Sequence, residues 1–264
     1  MWCSREDPIV RLCVLASGSS GNATLVATEH TRLLIDAGLS AREIARRLAA
    51  AGETLDRLDA ILITHEHTDH ISGLPVLGRK IGRPVFLSEL TAPAICWDGE
   101  PPPVEIFRAG AHWRIGEIEV TSFSVPHDAA DPVGFCLVVE GRKIAVVTDL
   151  GYIPDSIRYH IRGAHFLLLE SNHDLEMLKV GPYPWPIKQR VMSRQGHLSN
   201  DAVARFIRRD LEACTKTLVL GHLSEHNNHP DLVRLVAGEA LSSRRLPTRL
   251  VVAEHRRQTE VFQL

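Results

Sequence analysis

The segment Ile61-Leu62-Ile63-Thr64-His65-Glu66-His67-Thr68-Asp69-His70 ends an apolar run in four metal-type ligands within six residues. Imidazole is the commonest side-chain metal ligand, and such a cluster is costly to fold unless something binds it. Ala60 to Ile63 reads as a buried strand and Ile71 to Gly82 as an apolar-periodic helix, so the ligands occupy the turn between them. On that turn His65 and His67 can converge on one cation, while the helix start re-aims Asp69 and His70 toward a second. The pattern predicts a two-metal centre. Imidazole with carboxylate suits zinc, manganese or iron, and the lack of cysteine in this turn argues against a closed structural zinc knot.

His-x-His-x-Asp-His after an apolar strand is the signature of the metallo-β-lactamase superfamily, and the chain resembles that family over nearly its whole length. The resemblance implies further ligands, each following a strand-like run. They are His127 in Ser124-Val125-Pro126-His127-Asp128, Asp149 in Val146-Val147-Thr148-Asp149 as a carboxylate bridging two divalent ions, and His222 in Leu218-Val219-Leu220-Gly221-His222. It also implies that Asp36, in Leu33-Leu34-Ile35-Asp36-Ala37-Gly38, buttresses the metal loop, since partners behind the ligands fix their orientation. Taken singly, a His or Asp after a strand is more often a cap or a surface group. Their common placement at strand ends carries the reading.

Gly-His-Leu-Ser occurs twice, at Gly196 to Ser199 and at Gly221 to Ser224. His222 follows the strand-like Thr217 to Leu220, as the other ligands do, so it is assigned to metal. His197 precedes Ser199-Asn200-Asp201-Ala202, a helix N-cap signature, and is assigned to substrate, where free N–H groups and the helix dipole favour a phosphate. Two cations about 3.5–4 Å apart would supply a bridging hydroxide for hydrolysis. Asp69 would bind the second metal and orient that hydroxide. His197 would protonate the leaving oxygen, with His173 in Glu170-Ser171-Asn172-His173-Asp174 as the second candidate acid.

For substrate, a β-lactam is disfavoured: the resemblance to the cysteine-bearing zinc β-lactamases fails at Asp149, where those enzymes carry Cys, and a secretory signal would be expected of such an enzyme. The loop Ser17-Gly18-Ser19-Ser20-Gly21-Asn22 has small residues and donors that fit an anion-binding nest, with Ser17, Ser19, Ser20 and Asn22 as substrate-binding candidates beside Asn172 and Ser199. A hairpin turn would use the same residue types. The run Leu15 to Thr24, the Glu170-Ser171-Asn172-His173 segment and the doubled Gly-His-Leu-Ser with Asn200 together resemble the bacterial YycJ/WalJ-type group, from about Val10 to Val252. That resemblance implies a metal-dependent DNA exonuclease acting 5′ to 3′. The stretch from Asp149 to His222 is too short for the inserted β-CASP domain of RNase J-like nucleases, and Glu254-His255-Arg256-Arg257 does not match the late motif of ribonuclease Z. Two alternatives stay open: a small-molecule or cyclic phosphodiesterase, and a lactonase or thioesterase on the same metal core. A third, a non-catalytic protein with a structural site, is opposed by the complete ligand set.

Composition bounds the rest. With 264 residues, 44% hydrophobic content and a formal charge of −2, the chain is long enough for one large core and reads as a single domain, with residues 1–9 a flexible N-terminal extension. Leu12 to Ala16 is too short for a signal h-region and no run is long enough to span a membrane, so a cytoplasmic protein is expected, monomer or homodimer. Five scattered cysteines without C-x-x-C spacing read as reduced and mostly core residues. The slight acidity sits awkwardly with nucleic acid; Arg205, Arg208 and Arg209, or Arg244 with Arg245, could form a local basic patch, though a solvated helix face is the commoner role.

The elements that must position these residues follow from the apolar pattern. Strands are expected near Arg11 to Ala16, Ala23 to Thr28, Arg32 to Asp36, Val104 to Phe107, Glu117 to Val125, Phe135 to Glu140, Lys143 to Thr148, Phe166 to Leu169 and Thr217 to Leu220. Helices are expected near Ser40 to Ala51, Glu89 to Cys96, Pro154 to Ile161, Asp174 to Val180, Asp201 to Leu211 and Asp231 to Leu241, with residues 98–103 a stiff Pro-rich surface loop. Two sets of strands with helices at intervals fit the family's α/β (α+β) architecture, a four-layer αββα sandwich.

Overall fold

The apolar runs at the start of the chain are buried along nearly their full length, as strands covered on both faces must be. In the computed structural model, which describes residues 10–97 and 99–264, these runs are β1 (Arg11–Ala16), β2 (Ala23–Ala27), β3 (Arg32–Ile35) and β4 (Ala60–Leu62). The expected extension at 1–9, and Asp98 of the Pro-rich loop, lie outside the described residues.

Ser40 caps helix α1 (Ala41–Ala50) by accepting from Glu43 N. After β4 the helix expected over Ile71 to Gly82 is α3 (Leu74–Ile81), and part of the turn expected before it, with Asp69 and His70, is itself a short helix, α2 (Thr68–Ile71). Pro75 lacks an N–H and its ring would meet the carbonyl four residues back, so it is tolerated only in a first turn. Gly82, left-handed, ends α3. Next come β5 (Val85–Ser88) and β6 (Val104–Phe107). The helix expected at 89–96 is only a 3-10 turn at Ala92–Ala94, with Pro93 again confined to a first turn.

The second half carries β7 (His112–Ile115), β8 (Ile118–Ser124), β9 (Val133–Val139), β10 (Arg142–Val147), α4 (Asp155–Ile161), β11 (Phe166–Glu170), α5 (Leu175–Val180), α6 (Trp185–Val191), α7 (Asn200–Arg209), β12 (Thr217–Gly221), α8 (Pro230–Ser243), β13 (Arg249–Val252) and β14 (Phe262–Gln263). Glu140 and Gly141, both at positive φ, make the expected β9–β10 hairpin turn. The apolar pattern does not announce β7, β13, β14 or α6. β7 is a short edge strand, and α6 follows a Pro-rich stretch that masks its period.

Among the described residues the strands form two seven-stranded sheets, in the orders β14-β1-β2-β3-β4-β5-β6 and β13-β12-β11-β10-β9-β8-β7. One apolar cluster, with Leu12, Val26, Leu33, Leu62, Phe135, Val146 and Val219, lies between them. A second packs the outer face of the first sheet on α1 and α3 through Ile44, Leu48, Leu74 and Leu77. A third packs the outer face of the other sheet on α4, α7 and α8 through Ile157, Val203, Ile207 and Ala237. Three apolar layers thus separate four layers of structure, the αββα sandwich. No helix among the described residues is long and apolar enough to cross a membrane.

Candidate metal centre

β3 and β4 run parallel, as do β10, β11 and β12, so within each sheet these strands end on the same edge. Asp36 and His222 directly follow such ends, the His65–His70 segment and Asp149 come within three residues of them, and Glu170 closes β11. Three of them, Asp36, Asp149 and His222, have φ of 62°, 58° and 54°. Non-glycine residues held in the left-handed region are uncommon and cluster where a site over-determines them.

Glycine lets the loops close. A Cβ on Gly38 would fall 1.6 Å from the Asp69 carbonyl oxygen. The same contact zone is stitched by Asn22 N donating to Asp69 O (2.7 Å) and Ala37 N donating to His70 O (2.8 Å).

Among the described residues four overlapping candidate groups result, two of which include Asp149: one with His65 and His70, the other with Glu170, His197 and His222. The ligating atoms of His65, His67 and His127 lie within 4.8 Å of one another, and so do those of Asp69, His70 and His222. Asp149 stands between: its Oδ2 is 3.2 Å from His70 Nε2, and its Oδ1 is 3.3 Å from His222 Nε2 and 3.8 Å from His127 Nε2. The approach to His70 lacks hydrogen-bond geometry, so Asp149 Oδ2 is a buried oxygen without a hydrogen-bond partner, as His65 Nε2 is a buried nitrogen without one.

In four of the five rings the other nitrogen is fixed from behind, whereas His67 Nδ1 faces His127 Nε2 at 3.2 Å. His70 Nδ1 faces Asp36 Oδ2 at 2.8 Å, His222 Nδ1 faces Glu170 Oε1 at 2.9 Å, His127 Nδ1 faces Gly196 O at 3.2 Å, and His65 Nδ1 faces Thr64 Oγ1 at 3.1 Å. Asp36 Oδ1 in turn accepts from Thr64 N at 2.8 Å. Such backing sets the tautomer and aims the Nε2 lone pairs inward. Converging ring nitrogens, a carboxylate between two groups and two orphaned buried ligand atoms fit divalent cations.

The electrostatics agree. Burial would raise Asp149 and Asp69, but His222 and His70 outweigh it and hold both carboxyls well below their usual range. Burial would lower His70 and His222, but Asp36, Asp149, Asp69 and Glu170 outweigh it and raise both. His65 and His127 are pushed down, by burial first and by neighbouring imidazoles next. A dense cluster of like and unlike charges of this kind marks functional sites.

The predicted substrate residues divide. Ser19, exposed, lines a cleft of about 170 Å³ with His67, Asp69, His127, Asp149, Arg190, His197 and His222. Ser20 is exposed beside it. The others serve the loops, so the anion-nest reading of this turn is corrected. Ser17 Oγ accepts from His222 N (2.7 Å), and Asn22 Nδ2 donates to Asp69 Oδ2 (3.2 Å) while its Oδ1 accepts from Gly18 N. Asn172 Nδ2 donates to His222 O (2.8 Å), and Ser199 caps α7 by accepting from Ala202 N. His173, 1% exposed, bridges by backbone to Ser199 and does not line the cleft, which removes it as an acid. His197 does line it, with Nδ1 2.7 Å from Glu170 Oε1. Arg244 is no part of a free basic patch, since it caps α7 at Ile207 O and Leu211 O.

Glu170 is the residue that sequence reading missed as a functional group. Its Oε1 faces both His197 and His222, and its Oε2 accepts from Leu150 N (2.9 Å) and Leu198 N (3.0 Å). Burial opposes its charge, yet the two imidazoles bring it down to about 2. Its signal was available: a carboxylate ending an otherwise fully apolar strand. Larger hollows exist, such as one of about 410 Å³ beside Arg158 and Arg209, but none of the ligand groups lines it, so chemistry and not volume locates the site.

Two back-to-back sheets carrying these His/Asp groups at their strand ends define the metallo-β-lactamase fold. Residues 31–223 match the model of the beta-lactamase superfamily domain, and the chain belongs to that family. It is 42% identical over 239 residues to the exodeoxyribonuclease YycJ of Bacillus anthracis, covering 88% of this chain and 89% of that one. It is 40% identical over 227 residues to the exodeoxyribonuclease WalJ of Streptococcus pneumoniae, 84% of each chain. Among solved structures, the metallo-beta-lactamase fold protein YhfI of Bacillus subtilis superposes with a TM-score of 0.73 at 18% identity, over 98% of this chain and 100% of that one, a likeness of fold.

Proposed function

We propose that this single-domain chain is a dinuclear metal-dependent phosphodiesterase, specifically a DNA exonuclease working 5′ to 3′. The observation that carries the reading is the complete donor set, with four of its five rings oriented from behind and Asp149 placed between two groups. The exodeoxyribonucleases YycJ and WalJ support the substrate class, being alike over more than four-fifths of the chain.

His65, His67 and His127 would hold one cation, Asp69, His70 and His222 a second, and Asp149 both. Zinc, manganese and iron all suit this donor set. Bound there, two divalent ions supply water activation and neutralise the charge of an in-line displacement. Asp69, steadied by Asn22, orients the attacking water in the cleft. His197, with Nδ1 held by Glu170, offers Nε2 as the nitrogen that protonates the leaving oxygen.

The test is cleavage of 5′-labelled and 3′-labelled duplex DNA, single-stranded DNA and RNA by metal-stripped protein reloaded with Mn²⁺ or Zn²⁺, with His65→Ala as control. Mononucleotides released progressively from the 5′ end of DNA, and lost in the control, are expected. Turnover of bis(p-nitrophenyl) phosphate with no polymer cleaved would replace the nuclease by a small-molecule phosphodiesterase.

A further inference from the structure

The cleft is lined by imidazoles, carboxylates, one serine and a single Lys or Arg among the described residues, Arg190. Its guanidinium pairs with the carboxylate of Asp128, the residue next to the ligand His127. Asp128 Oδ1 is itself 3.5 Å from His127 Nε2. Ligand nitrogen, Asp128 carboxylate and Arg190 guanidinium therefore follow one another outward. A phosphate held by Arg190 would lie one carboxylate beyond the ligand nitrogens, beside the reacting position and not on it.

The helix bearing Arg190 is fixed to the centre. His197 N donates to Val191 O (2.9 Å), His127 Nδ1 faces Gly196 O, and the buried Lys188 reaches from α6 to Lys179 O (2.7 Å). A Cβ on Gly196 would fall 2.2 Å from Arg190 O, and one on Gly151 2.4 Å from Arg194 O. The arginine thus has a rigid root and an open head, its side chain 59% exposed. The Arg190–Asp128 pair is partly solvated, so water screens it and it holds the guanidinium only weakly. A guanidinium fork matches a phosphate bidentately, so the exchange of partners is within reach.

We propose that Arg190 is a substrate-binding residue that grips a second phosphate, adjacent to the one cleaved, and that Asp128 occupies the guanidinium until the substrate replaces it. This rests on the phosphodiesterase reading of the site. It makes the preferred substrate one with at least two successive phosphates.

Two measurements test it on the full chain. In the first, a fluorescein-labelled single-stranded oligonucleotide is titrated by anisotropy across a KCl series. Arg190→Ala is expected to weaken binding and lower the salt slope by about 1, the share of one phosphate contact. Arg190→Lys is expected to keep the slope, and Asp128→Asn to tighten binding.

In the second, the metal-loaded protein turns over thymidine 5′-(p-nitrophenyl phosphate) and its 3′-phosphorylated analogue. Arg190→Ala is expected to raise KM roughly ten- to hundredfold for the analogue only, the value of a charged hydrogen bond. Equal losses on both substrates, or an unchanged salt slope together with an unchanged KM, would overturn the assignment. If the wild type binds no oligonucleotide yet the KM split persists, the nuclease reading fails while the two-phosphate assignment stands.

Discussion

Glu170 Oε1 lies 2.7 Å from His197 Nδ1, and the same oxygen stands 2.9 Å from Nδ1 of His222. One buried carboxylate thereby orients both copies of the Gly-His-Leu-Ser motif, the one assigned to substrate and the one assigned to metal.

Replacing Glu170 by Gln keeps its volume and removes its charge. Metal affinity should fall about 10–100-fold, the usual loss when a partner behind a ligand is changed, read by competition against a chelator. Glu170→Ala should also cost about 1–3 kcal/mol for each of Leu150 N and Leu198 N left unpaired. Unaltered metal affinity in the Gln variant would leave Glu170 a purely structural residue.

His197 and His222 share that carboxylate but should fail differently. His197→Asn is expected to lower kcat about 10²–10⁴-fold, the range for a lost general acid, with metal content retained. His222→Asn should lose bound metal. Metal analysis alongside kinetics separates them, and equal metal loss in both would make His197 a ligand.

His173 should set an acid limit to stability. Burial holds it down to about 4 against 6.5 in the unfolded chain. The folded chain keeps it neutral while the unfolded chain takes up a proton, so stability present above pH 6.5 is lost as pH falls toward 4. At pH 5 the loss is roughly 2 kcal/mol from this group. Urea unfolding of wild type and His173→Asn at pH 7 and pH 5 should show a smaller pH difference in the variant; equal differences would sink the idea.

Two glycines should respond oppositely to Ala. Gly38→Ala drives a Cβ into Asp69 O and should cost about 3 kcal/mol or more. Gly238, inside α8 with nothing within 4 Å of its Cβ, should gain about 0.5–1 kcal/mol. Thermal unfolding of the two variants provides the comparison.

Much of the fold was legible because burial on both faces leaves uninterrupted apolar runs. β1, β4, β11 and β12 announce themselves that way, and the polar residue ending each run marks a candidate for the site. Edge strand β7, with Trp113 and Ile115 turned inward between His112 and Arg114, is too short for its alternation to stand out. Helix α6 was hidden by Pro182, Pro184 and Pro186, which punctuate the sequence without forbidding a helix that starts among them.

The sequence by itself determined the candidate ligands' residue types, their strand-end placement and the superfamily, since these are local: a run of apolar residues, then a short polar turn. Which polar residues serve the chemistry was decided by the tertiary structure. Ser17 and Asn22 look like phosphate donors in sequence, yet they hold His222 N and Asp69, residues distant along the chain. Glu170 looks like a strand end and instead orients two histidines from separate loops. Hydrogen-bond partners across such separations are set by how the two sheets pack, and no local pattern encodes that packing.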